Sequence, residues 1–97
     1  MADVAKSLNT LKVMLFNSIR SESISEKAAF YASARWILAD IEGQLSKHGL
    51  ATRGSEALLR IEESFGSVLG TVSVGAPETY GMMGISTIKE LMSEFDD

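Results

Sequence analysis

Apolar residues recur every three or four positions along this chain, and they do so in four blocks. In the first, Val4, Leu8, Leu11, Leu15 and Ile19 form a near-heptad seam that predicts a helix from about Asp3 to Arg20. The second block, Ser23 to His48, is the longest and organises the rest. Ser23 and Glu26 have capping-box spacing, and Lys47, His48 and Gly49 supply a basic last turn followed by a glycine. The third runs from the Gly49–Gly54 loop to Leu69, with Thr52 or Ser55 as its cap and Leu58, Ile61, Phe65, Val68 and Leu69 as its core face. The fourth is short, from Ser86 or Thr87 to Phe95, with Ile88, Leu91, Met92 and Phe95 on one side and a second capping-box pair, Thr87 and Glu90.

Between the last two blocks lie residues 70–84, with four glycines (Gly70, Gly75, Gly81 and Gly84) and the only proline. Thr71 to Val74 is β-branched and alternating but has no strand partner. Pro77 can open a single helical turn through Tyr80. The segment reads as an ordered loop that carries Tyr80, Met82 and Met83. The resulting fold is all-α: a single helical domain over residues 1–97, built as a long αα-hairpin with a third helix packed across it and a short C-terminal helix closing one end.

The central helix has two apolar faces. Phe30, Ala34, Ile37, Ile41 and Leu45 share the core stripe, flanked by Tyr31 and Leu38. Trp36 points the other way, in a row of small residues formed by Ala29, Ala32, Ala39 and Gly43. Either the chain covers this second face itself, as happens in a helix central to its bundle, or the face meets another chain. Tryptophan is a common anchor of interfaces, so Trp36, Ala29, Ala32, Ala39 and Gly43 are taken as a partner-binding surface. Phe16, off the first seam among basic residues together with Val13, and Tyr80, Met82 and Met83 are secondary candidates. Methionines near glycines make adaptable contact surfaces or plug the end of a core.

Composition narrows the functional classes. At 97 residues the chain holds one domain, and without cysteine it has no disulfide and no thiolate metal site. The start is not that of a signal peptide, and no apolar run approaches the ~20 residues that span a bilayer. Without cysteine the chain carries no redox signal and is compatible with a reducing cytoplasm; a cytoplasmic setting is the expectation. Net charge is −4, unevenly placed: residues 1–60 carry eight basic against six acidic groups, whereas residues 61–97 carry only Lys89 against seven acids. Scatter plus an acidic tail (Glu94, Asp96, Asp97) accounts for this, and a head-to-tail contact or an acidic patch for a basic partner is the sharper alternative.

Candidate chemistry is sparse. The single histidine, His48, sits at a helix end, with Asp40 about 12 Å back along the axis, too far to orient it. Ser86 and Lys89 match a Ser-x-x-Lys pattern whose companion motifs are absent. Glu62 and Glu63 are adjacent and diverge on a helix. No phosphate loop, dinucleotide fingerprint or metal-binding motif occurs. Lys6, Lys12, Arg20, Lys27 and Arg35 are interrupted by acids, and the third helix carries Glu56, Glu62 and Glu63 where a DNA reader needs basic or amide side chains. The expectation is therefore a non-enzymatic interaction protein without catalytic residues, cofactor or metal, a small acidic regulator, inhibitor, chaperone or assembly subunit. It binds another protein or itself as a homodimer, and neither nucleic acid nor membrane. A small DNA-associated transcriptional regulator is the second reading, and a small enzyme or metal protein the third.

Overall fold

The computed structural model describes residues 2–70 and 77–95. Among these are four helices and no strand: α1 (Ala2–Arg20), α2 (Ile24–Lys47), α3 (Ala51–Leu69) and α4 (Pro77–Phe95). The all-α bundle expected from periodicity is thus present. Each helix packs on the next, and α4 closes back on α1, so the helices form a ring. Neighbours run antiparallel, as the short connections at 21–23 and 48–50 require. At 1.5 Å per residue the 24 residues of α2 span about 36 Å, which sets the long dimension of the 37 × 21 × 19 Å bundle.

Local signals explain most of the boundaries. The Ser23 hydroxyl accepts from the Glu26 amide at 3.2 Å, the expected N-cap bond of α2. The reciprocal half of the capping box is replaced: the Ser23 amide donates to the Ser21 hydroxyl at 3.1 Å. At the other end Gly49 takes φ +73°, with Leu50 N–H on the Leu45 carbonyl at 2.7 Å and Gly49 N–H on the Ser46 carbonyl at 3.1 Å. That pair of bonds is a Schellman motif, and Leu50 completes it by packing on the core.

Two boundaries differ from the periodic reading. Helix α3 starts at Ala51, so the expected Gly49–Gly54 loop shrinks to residues 48–50 and Ser55 lies inside the helix. Leu50 occupies the cap position without a side-chain bond, because the Schellman turn passes the chain straight into α3. The larger correction concerns α4. It is not short but 19 residues long, opening at Pro77 and running through Tyr80, Met82 and Met83, which therefore do not sit on a loop. Thr87 is mid-helix, and its hydroxyl donates to the Met83 carbonyl at 3.0 Å rather than capping Glu90. The β-branched stretch Thr71 to Val74 and the tail acids Asp96 and Asp97 lie outside the described residues.

The core is one cluster fed by all four helices. Val4, Leu8, Leu11 and Leu15 of α1 meet Ala34, Leu38, Ile41 and Leu45 of α2, Leu58, Ile61 and Phe65 of α3, and Ile85, Ile88, Leu91 and Phe95 of α4. Phe30 and Ile37, expected in the α2 stripe, lie at its half-buried edge instead, because the seam follows 34, 38, 41 and 45. Close packing of α4 depends on two glycines. A Cβ at Gly81 would lie 2.7 Å from Ile19 Cδ1, and one at Gly84 would lie 2.8 Å from Leu15 Cδ2 while overlapping Ser64.

Candidate interaction surface

Helix α2 buries the seam just described, and this decides what its other side can do. Trp36 is two positions before Leu38, so at 100° per residue it points nearly opposite to that core residue. Its indole is 81% exposed, the most exposed large apolar side chain among the described residues. Ala29, Ala32, Ala39 and Gly43 are also exposed. The chain does not cover this face, so Trp36 is not part of its own core. Full burial of an aromatic of this size returns about 4–6 kcal/mol at ~25 cal/mol per Å² over 150–250 Å², and the isolated bundle forgoes most of it.

The face is not confined to α2. Ala32, Arg35, Trp36 and Ala39 line one shallow depression of about 320 Å³. Arg35 and Ala39 also line a groove of about 430 Å³ between α2 and α3, whose far wall includes Leu58 and Leu59. The shared residues join the two into one surface. Leu59, 54% exposed, extends its apolar area. It falls off the 58, 61, 65 stripe, so periodicity alone does not mark it. It reaches this surface only once α3 packs beside α2. The groove is bounded by an ion pair, with Arg35 Nε 3.3 Å from Glu62 Oε1. Both groups are solvated, so the pair contributes less than about 1 kcal/mol and acts mainly as a polar border. Asp40, on the opposite border, accepts from Gln44 Nε2 at 2.7 Å.

The secondary candidates separate. Phe16 and Met82 come together on a different side of the molecule, in a groove between α1 and α4 that also takes in Val13 and Ile85. Arg20 lies over the Phe16 ring, its guanidinium carbon 5.7 Å from the centroid. Met83 is exposed but does not line this groove, and Tyr80 is half-buried. In a ring ordered α1, α2, α3, α4, the α1/α4 groove lies across the bundle from the α2/α3 face.

His48 is the C-cap of α2, and its backbone amide donates to the Gln44 and Leu45 carbonyls at 3.3 and 3.2 Å. Among the described residues no group of three or more His, Asp or Glu side chains is placed to hold a metal ion, and no helix is long and apolar enough to cross a membrane. What the α2/α3 face offers is a flat apolar area with one projecting indole and a polar rim, an arrangement suited to contact with another apolar surface. No family model matches the chain, and neither a curated protein nor a solved structure matches it.

Proposed function

We propose that the protein is a non-enzymatic protein–protein interaction module that associates with a second copy of itself through the outer face of α2, and acts as a small regulator, inhibitor, chaperone or assembly subunit. The observation that carries this reading is the 81% exposure of Trp36 among exposed small residues. Small side chains let a second helix approach closely, and the indole supplies the anchor.

A second copy suits this face for two reasons. If two α2 helices cross antiparallel at Trp36, position 40 of one falls opposite position 32 of the other, and position 47 opposite position 25. Asp40 then meets Ala32, and Lys47 meets Ser25, so no like charges confront each other. The broad face of the bundle, 37 × 21 Å, also offers on the order of the 800 Å² per partner that stable interfaces bury. The absence of cysteine fits a reducing compartment such as the cytoplasm.

Because Trp36 is the only tryptophan, its emission reports on this surface without labelling. Raising the protein concentration should shift the emission to the blue and reduce quenching by acrylamide as the indole leaves water. Emission and quenching that stay those of an exposed indole at all concentrations would overturn the self-association reading.

A further inference from the structure

The groove between α1 and α4 differs in character from the α2/α3 face. Its floor is apolar, formed by Val13, Phe16, Met82 and Ile85. Three of these remain widely open to solvent: Val13 at 50%, Phe16 at 44% and Met82 at 51%. The charged groups that line it, Lys12 and Lys89, are both basic. Neither is paired with a carboxylate among the described residues. Arg20 adds a third cation at one end through its position over Phe16. In a chain of net charge −4 this is a local reversal of sign around the second apolar opening.

Val13 and Phe16 lie off the α1 seam of Leu8, Leu11 and Leu15, so they stay outside where α4 packs closely on α1 through Gly81 and Gly84. The groove holds about 300 Å³, room for two or three aliphatic side chains. Along α4, Met82 to Lys89 covers seven residues, or about 10 Å, two turns of a docked helix. That length matches anchors at i, i+3 or i+4, and i+7, the pattern by which an amphipathic helix lies in a groove.

We propose that the α1/α4 groove is a docking site for an acidic amphipathic helix of a partner protein. Apolar side chains of the partner enter between Phe16 and Met82, and carboxylates on the flanks of the same helix meet Lys12, Lys89 and Arg20. The site lies across the bundle from Trp36, so its occupation does not compete with self-association there. A dimer formed through α2 would present two such grooves facing away from each other.

The methionine methyl groups provide the test. Full-length protein carrying ¹³C-methyl methionine is titrated with a helical peptide that has leucines at i, i+3, i+4 and i+7 and glutamates elsewhere. A second peptide has lysines in place of the glutamates. The acidic peptide is expected to shift the Met82 methyl resonance and leave that of Met83, which is exposed beside the groove but outside it. The lysine peptide should bind at least tenfold more weakly. Lys89→Glu, at an exposed position, and the double variant Lys12→Glu/Lys89→Glu should each lower affinity for the acidic peptide while circular dichroism stays native. Phe16→Ala should lower affinity for both peptides. No change at Met82 at millimolar acidic peptide, equal shifts at Met82 and Met83, or equal affinity for the two peptides would each overturn the proposal.

Discussion

Gly84 of α4 lies directly against Ser64 of α3, so close that a methyl group on the glycine would overlap the serine side chain. Ser64 is itself fixed, 2% exposed, with its hydroxyl donating to the Arg60 carbonyl at 3.0 Å. Gly84→Ala should therefore lower stability by about 1–3 kcal/mol through overpacking, reduced by up to about 1 kcal/mol from the better helix propensity of alanine. Urea denaturation followed by circular dichroism measures the balance. An increase in stability would mean that α4 does not pack this closely.

Gly43 is the contrasting case. It is also in a helix interior, yet a Cβ there meets nothing within 4 Å. Gly43→Ala should stabilise the fold by about 0.5–1 kcal/mol in a urea titration run at low protein concentration. Gly43→Arg should leave the monomer folded and weaken self-association, since a long side chain would hold a second helix away. Unchanged association in Gly43→Arg would place the contact elsewhere.

These two glycines also show what the sequence could and could not reveal. The core seams of α1 and α3, the N-cap at Ser23 and the Gly49 turn follow from short-range periodicity and capping chemistry, and they stand in the structure except at the last seam positions, Ile19 and Leu69, which are only half-buried at the helix ends. The first half of α4 does not follow from them. Pro77, Gly81 and Gly84 are breakers by intrinsic propensity, and the segment reads as a loop. In the bundle the proline is the first helical residue, where its missing amide costs nothing, and the glycines are the points where neighbouring helices touch. Tertiary contact outweighs propensity here, and no local pattern records that contact. The candidate surface divides the same way. The orientation of Trp36 away from the core stripe is a matter of helical angle, whereas Leu59 joins it, and Phe16 meets Met82, only through pairing of helices distant in sequence.

Among the described residues, two core hydroxyls have no partner. Ser18 and Ser67 are 0% and 1% exposed, and neither side-chain oxygen makes a hydrogen bond. Burying such a group unpaired costs about 1–3 kcal/mol. Ser67→Ala should therefore raise stability by about 1 kcal/mol, and Ser18→Ala by a similar amount. Loss of stability in both would mean that the hydroxyls are paired in solution. Phe65→Ala, by contrast, removes the largest fully buried side chain and should cost about 3–5 kcal/mol.

The Arg35–Glu62 pair borders the proposed interface but should not hold the fold together. A double-mutant cycle with Arg35→Ala and Glu62→Ala should give a coupling below about 1 kcal/mol that shrinks further in high salt. A coupling several times larger, unaffected by salt, would indicate that this groove is closed to water.

The most direct measurement is the mass in solution, by light scattering after size exclusion, over a hundredfold concentration range at low and high salt, for the native chain and for Trp36→Ala. The expected result is a native dimer of twice 10.5 kDa that persists in salt, and a Trp36→Ala chain of unchanged helicity whose dimer is weakened by about 2 kcal/mol or more. A native chain that stays monomeric throughout, or a Trp36→Ala chain that dimerises as well as the native one, would contradict the proposal that Trp36 anchors a subunit interface.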